Sequence, residues 1–249
     1  MMADVWTIIW KEWKELLLSR GSKRGGVARL AIMVAVFGLF LPLQTGREWV
    51  TSPMVLVFWA WVPLILVVGV VADAFAGERE RHTLETLLAS RMPNRSILLG
   101  KVLAAVSYGW GLTMASLLVG LVAVNVAFGH GELLLYPAQV VVAGTALSFL
   151  AALLAASGGV LVSLRSPTVR QAAQTMSIAV VATVWVPAGI VSLLPRLFPN
   201  ISALEVQAFL TDLNWNMVLV AAGVVLAVVD AALLAAGLAR FQRARLILD

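Results

Sequence analysis

Residues 102–128 read VLAAVSYGWGLTMASLLVGLVAVNVAF, twenty-seven residues without one charge. About 20 apolar residues in a helix cross a bilayer core of roughly 30 Å. Backbone groups in lipid have no water to bond, so only a helix or a closed barrel satisfies them, and this run is too long for a barrel strand. The same reading applied outward finds further runs at 27–44, 53–76, 137–164, 171–194 and 216–239. The first is the shortest, with Pro42 near its outer end. Pro63 and Pro187 fall inside spans, where each removes a helical hydrogen bond and favours a kink. The expected fold is an all-α polytopic membrane protein, one domain over residues 1–249 with six transmembrane helices.

Composition supports that class. Of the residues, 61% are hydrophobic and 12% charged, where soluble domains carry about a quarter charged. The net charge of +5 sits at the ends of the apolar runs, which points to lipid headgroups and not to nucleic acid. Having no cysteine, the chain has no disulfide framework and no thiolate chemistry. The first apolar run follows a Trp- and Lys-rich stretch, and no small-residue cleavage site comes after it, unlike a signal peptide. Sixteen of the eighteen Lys and Arg fall on one side of a six-span arrangement, leaving only Arg47 and Arg196 on the other. Positive loops stay inside, so both termini are expected in the cytoplasm of a cell membrane.

Two segments lie outside the spans. Over residues 4–20, Trp6, Ile9, Trp10, Trp13, Leu16 and Leu17 recur at helical spacing, with Asp4 as N-cap and Lys11, Glu12, Lys14 and Glu15 largely opposite. That pattern describes a helix in the inner interface; a helix packed on the protein itself is the alternative. Residues 195–215 hold Ile201, Leu204, Val206, Phe209, Leu210 and Leu213, expected as short outer helices.

Residues 77–101, GERERHTLETLLASRMPNRSILLGK, are the most informative polar stretch. A helix over 78–90 is expected, with Leu84, Leu87 and Leu88 as an apolar stripe, Arg81 and Glu85 paired at i, i+4, and Pro93 ending it. Such a helix either docks into a partner's groove or caps the bundle.

The chain resembles the permease subunits of type-2 ATP-binding-cassette exporters. Their loop after the second span reads Glu-x-Glu-x-Gly-Thr-Leu-Glu-x-Leu-Leu, then Pro-x-Arg and Leu-Gly-Lys. Here Glu78, Glu80, Thr83, Leu84, Glu85, Leu87, Leu88, Pro93, Arg95, Leu99, Gly100 and Lys101 follow in matching order. His82 stands where the family usually has Gly. Trp10-Lys11-Glu12 through Arg20, and Ser163-Leu164-Arg165 through Gln171-Ala172-Ala173-Gln174, resemble two further family segments. The resemblance implies a dimer with a second permease copy or a homologous permease, seated on two ATPase subunits. Residues 78–90 would be the coupling helix, with Glu78, Glu80, Thr83, Leu84, Glu85, Leu87 and Leu88 carrying the coupling. The chain has no Gly-x-x-x-x-Gly-Lys-Ser/Thr phosphate loop. It would therefore need no cofactor of its own, since ATP and Mg belong to the partner ATPase.

Competing chemistries have less behind them. His82, Glu85 and Glu78 have metal-ligand spacing, but a surface ion pair is the simpler reading. Ser157-Gly158-Gly159 lacks the context of a nucleophile elbow. With Gly144 and neighbouring alanines, those glycines suit close helix packing. No catalytic constellation or metal cluster marks an intramembrane enzyme. Asp73 and Asp230 fall in spans, where a charge costs about 2.5–3.5 kcal/mol. An ion-coupled secondary transporter would use them as ion sites; structurally, Asp73 reaches the interface and Asp230 pairs inside the bundle. Few polar groups accompany Phe58, Trp59, Trp61, Trp110 and Trp185 in the spans, which points to an apolar or amphiphilic cargo.

The charge asymmetry makes topology testable with an impermeant thiol reagent. Arg243→Cys should react only from the cytoplasm and Arg196→Cys only from outside; labelling of both from one face overturns the six-span arrangement.

Overall fold

The computed structural model describes residues 1–18, 23–52, 55–197 and 214–241. Among them the chain is helical and contains no strand. The helices are α1 (Met2–Leu17), α2 (Lys23–Val34), α3 (Leu41–Thr45), α4 (Glu48–Thr51), α5 (Val55–Glu80), α6 (Leu84–Ala89), α7 (Asn94–Phe128), α8 (Ala138–Arg165), α9 (Val169–Leu197) and α10 (Trp215–Arg240). A π-helical segment, Ala35–Phe40, joins α2 to α3. Among the described residues, five segments are long and apolar enough to cross a membrane: Gly25–Thr45, Val55–Glu80, Asn94–Phe128, Ala138–Arg165 and Asn216–Arg240. The 29-residue α9 occupies the stretch expected as the fifth span. The expected outer helices at 195–215 lie almost wholly outside the described residues.

Polypeptide chemistry explains several boundaries. Pro93 has no N–H to contribute and precedes Asn94, so α7 starts there, eight residues before its apolar run. Asn214 caps α10, its side-chain oxygen accepting from the Met217 N–H at 3.4 Å. At the N-terminus the expectation is corrected. Helix α1 begins at Met2, so Asp4 is not its N-cap but lies in the first turn, 3.1 Å from the terminal ammonium.

Helix α5 is central and packs against α7, α8 and α9. Its Val67, Val71 and Phe75 are almost fully buried, beside Ile97, Leu98 and Val102 of α7 and Ala152, Ala156 and Val160 of α8. A second apolar cluster at the N-terminal end of α5 joins Trp49, Val55, Trp59, Val124 and Val140. Close approach of α8 to α5 depends on missing side chains. A Cβ on Gly144 would strike the Trp59 ring, and one on Gly159 would strike Met176 and Val71. Nearer the C-terminal end of α5, the Ser163 hydroxyl accepts from the N–H groups of Phe75 and Ala76 and donates to the Ala72 carbonyl, at 3.0–3.1 Å.

Helix α1 packs along the inner part of α7, with Ile8 against Gly100, and Trp13 donating to Ser107 at 2.9 Å and lying beside Tyr108. One side of its apolar surface is therefore covered by protein, while Trp6 and Trp10 stay 67% and 66% exposed.

The expected single helix over 78–90 is two elements. Helix α5 continues to Glu80, and α6 begins only at Leu84. Between them the Thr83 N–H bonds to the Glu78 carbonyl and the His82 N–H to the Arg79 carbonyl. His82 takes φ +56°. These bonds and the left-handed residue make a Schellman ending, whose turning position favours glycine because a Cβ crowds the backbone there. The family's glycine preference thus has a local steric cause. His82→Gly should stabilise the chain by about 0.5–1 kcal/mol, and His82→Val should destabilise it, in thermal melts of the detergent-solubilised protein.

Candidate functional site: the charged turn at the inner end of α5

Successive helical residues point about 100° apart, so the four charges of Glu78-Arg79-Glu80-Arg81 leave α5 in different directions. Each finds a different partner. Arg79 donates to the Ser166 and Leu164 carbonyls at 2.8 and 3.0 Å, satisfying groups at the C-terminus of α8. Glu80 accepts from the Val169 N–H at 2.9 Å, at the N-terminus of α9. Arg81 turns back to Asp73 at 3.1 Å. The expected Arg81–Glu85 pairing is thus replaced by one with Asp73, because the turn at His82 separates α6 from α5.

Glu78 points inward and is 4% exposed. Lys11 donates to it at 2.8 Å, and Lys101 stands 3.4 Å away. Lys101, 3% exposed, also donates to Glu12 at 2.7 Å. The Thr83 hydroxyl closes the cluster by donating to the second Glu78 oxygen. Burial works against charge on Lys11. The hydrogen bond to Glu78 and the carboxylates of Glu78, Glu12 and Glu15 outweigh it, holding the ammonium above its usual range. Three chain segments, α1, the end of α5 and the start of α7, therefore meet on one buried charge cluster.

The candidate coupling residues divide accordingly. Glu78 and Thr83 belong to the internal cluster, and Glu80 caps α9. Leu84 is buried at 7% in the central core, and Leu87 packs against that core. Glu85, Thr86 and Ala89 face outward. The side chain of Leu88 lies outside the described residues.

Asp73 is paired and half-exposed, not a free intramembrane carboxylate. Asp230 is 1% exposed, and neither oxygen has a hydrogen-bond partner among the described residues, so the pairing expected for it is not found. Among those residues no group of three or more His, Cys, Asp or Glu could hold a metal. Trp59 packs edge-on against Tyr136 and Trp110 against Phe149, which gives both rings a packing role.

Sequence reasoning missed Arg79, Lys11, Glu12 and Ser163 as organising residues. A legible signal was present in the four alternating charges that immediately follow an apolar span.

A polytopic bundle of long apolar helices defines a membrane protein. The profile of the ABC-2 type transporter matches residues 3–204, and the chain belongs to that family. It is a transmembrane component of a transporter and not itself the catalyst. Comparison with curated proteins gave no match.

The buried cluster has a measurable role. Lys101→Ala would leave Glu78 and Glu12 short of positive charge, at an expected cost of about 3–5 kcal/mol. The double variant Lys101→Met, Glu78→Gln should recover part of that loss. Thermal melting of the three proteins in one detergent reads both effects.

Proposed function

We propose that this chain is the membrane subunit of an ATP-driven exporter, with six spans and both termini in the cytoplasm. It works as a permease dimer on two ATPase subunits that bind ATP and Mg. Helix α6 is the docking element. The observation that carries this reading is the placement of α6. The turn at His82 and the inward Leu84 fix it to the bundle, while Glu85, Thr86 and Ala89 face outward between α5 and α7. The matching order of residues 78–101 with the family's coupling segment supports the same role. Force applied to α6 enters a turn whose neighbouring charges hold α1, α7, α8 and α9, so a local push reaches most of the bundle.

Docking through the outward face makes a specific demand on variants. Glu85→Arg with Thr86→Arg places repulsive or unpaired charge at the contact, which mainly opposes encounter with the partner. ATPase recovered with the permease should fall about tenfold or more, while the melting temperature changes little, as for other exposed substitutions. Leu84→Ser should behave differently, losing about 2–5 kcal/mol of stability as a truncated core residue does. A doubly charged variant that retains its ATPase and normal substrate-linked hydrolysis would show that α6 is not the docking element.

A further inference from the structure

A cavity of about 930 Å³ opens at the inner end of the bundle, bounded by α1, α2, α5 and α6. Its lining runs from Thr86 and Leu87 of α6 to Gly69 and Val70 of α5. Gly69 is seven residues before Ala76, the end of the apolar run, so the cavity reaches about 10 Å into the inner leaflet. Leu16 and Leu18 of α1 add apolar wall.

Charge pairing in the cavity is uneven. All four lining carboxylates are committed: Glu12 to Lys101, Glu15 and Glu78 to Lys11, and Asp73 to Arg81. Arg29 and Lys14 also line it, and neither makes an ion pair or side-chain hydrogen bond among the described residues. The Arg29 guanidinium rests over Gly69, where a Cβ would stand 2.9 Å from its nitrogen, so the missing side chain gives it room. A guanidinium matches phosphate oxygens in planar, bidentate geometry. Apolar lining in the same cavity as two cations unpaired among the described residues suits an amphiphile better than a free anion.

We propose that this cavity binds the headgroup of an acidic phospholipid of the inner leaflet, with its phosphate between Arg29 and Lys14 and its acyl chains along Val70, Leu16 and Leu18. The site rests on geometry independent of any ATPase, and its test needs none. Native mass spectrometry of the purified full chain would compare phosphatidylglycerol, phosphatidylcholine and glycerol phosphate. One phosphatidylglycerol per chain should be retained saturably, with a raised melting temperature, while the other two have no such effect. Arg29→Gln and Lys14→Gln should each weaken retention about fivefold, from about 1 kcal/mol per cation near a charged membrane surface. Arg170→Gln, an exposed cation away from the cavity, should leave retention unchanged. Should Arg29→Gln fail to fold, Lys14→Gln on the exposed side of α1 carries the comparison. Equal stabilisation by glycerol phosphate, unsaturable retention, or equal weakening by Arg170→Gln would overturn the lipid site.

Discussion

The contact between Glu78 and Lys101 is the constraint on which the inner half of the molecule depends. Both side chains are buried, and neither could remain charged there alone, since removing an ion from water costs several kcal/mol even after relaxation. Each therefore recruits a further group from the amphipathic helix α1: Lys11 for the carboxylate, Glu12 for the ammonium. This fixes the place of α1. Its hydrophobic stripe would allow many positions on a membrane surface, whereas paired charges allow one. Ile8 then seats against Gly100, and Trp13 reaches Ser107 and Tyr108.

The same constraint explains why the charged turn is not simply a solvated loop. A helix leaving the membrane ordinarily turns its polar residues to water. Here Glu78 is buried against α1 and α7 and Arg79 is half-buried against α8, so both need polar partners, while Glu80 and Arg81 pair although exposed. Arg79 and Glu80 pair with helix ends, where unpaired carbonyls and N–H groups are already present. Their charges suit those ends: positive at the C-terminus of α8, negative at the N-terminus of α9.

The sequence shows the membrane class plainly, because uncharged runs such as residues 102–128 have few alternative folds. Helix limits were less legible. Glu78 to Glu80 read as the start of a surface helix because their charges look solvent-seeking, yet they complete α5. His82 marked the true break, but only as a residue standing where the resembled family usually has glycine; its left-handed backbone supplies the reason. The Glu78–Lys101 pairing could not be read from spacing, since it joins residues 23 apart across two helices. The inward aim of Leu84 escaped for another reason. A six-residue helix has apolar residues on its buried and exposed sides alike, and periodicity does not say which side is covered.

Helices α5 and α8 are joined at intervals from Trp59 with Gly144, through Val71 with Gly159 and the Ser163 hydroxyl, to Arg79 at the α8 C-terminus. That span of twenty residues along α5 is about 30 Å, the thickness of a bilayer core. The two helices consequently behave as a single post. Sliding one past the other would force the Trp59 ring and Val71 against the α8 backbone and part Ser163 from its amides, with no water in the lipid to replace those bonds. Tilting them together breaks none of these contacts. By contrast, α10 and the apolar stretch that includes α2 bury little of their surface in the bundle, so these helices are the panels hung around the post. A tilt of the α5–α8 post must carry α1, α7 and α9 with it, because the Glu78 and Glu80 contacts tie them to the end of α5, whereas α2 and α10 are free to repack in lipid.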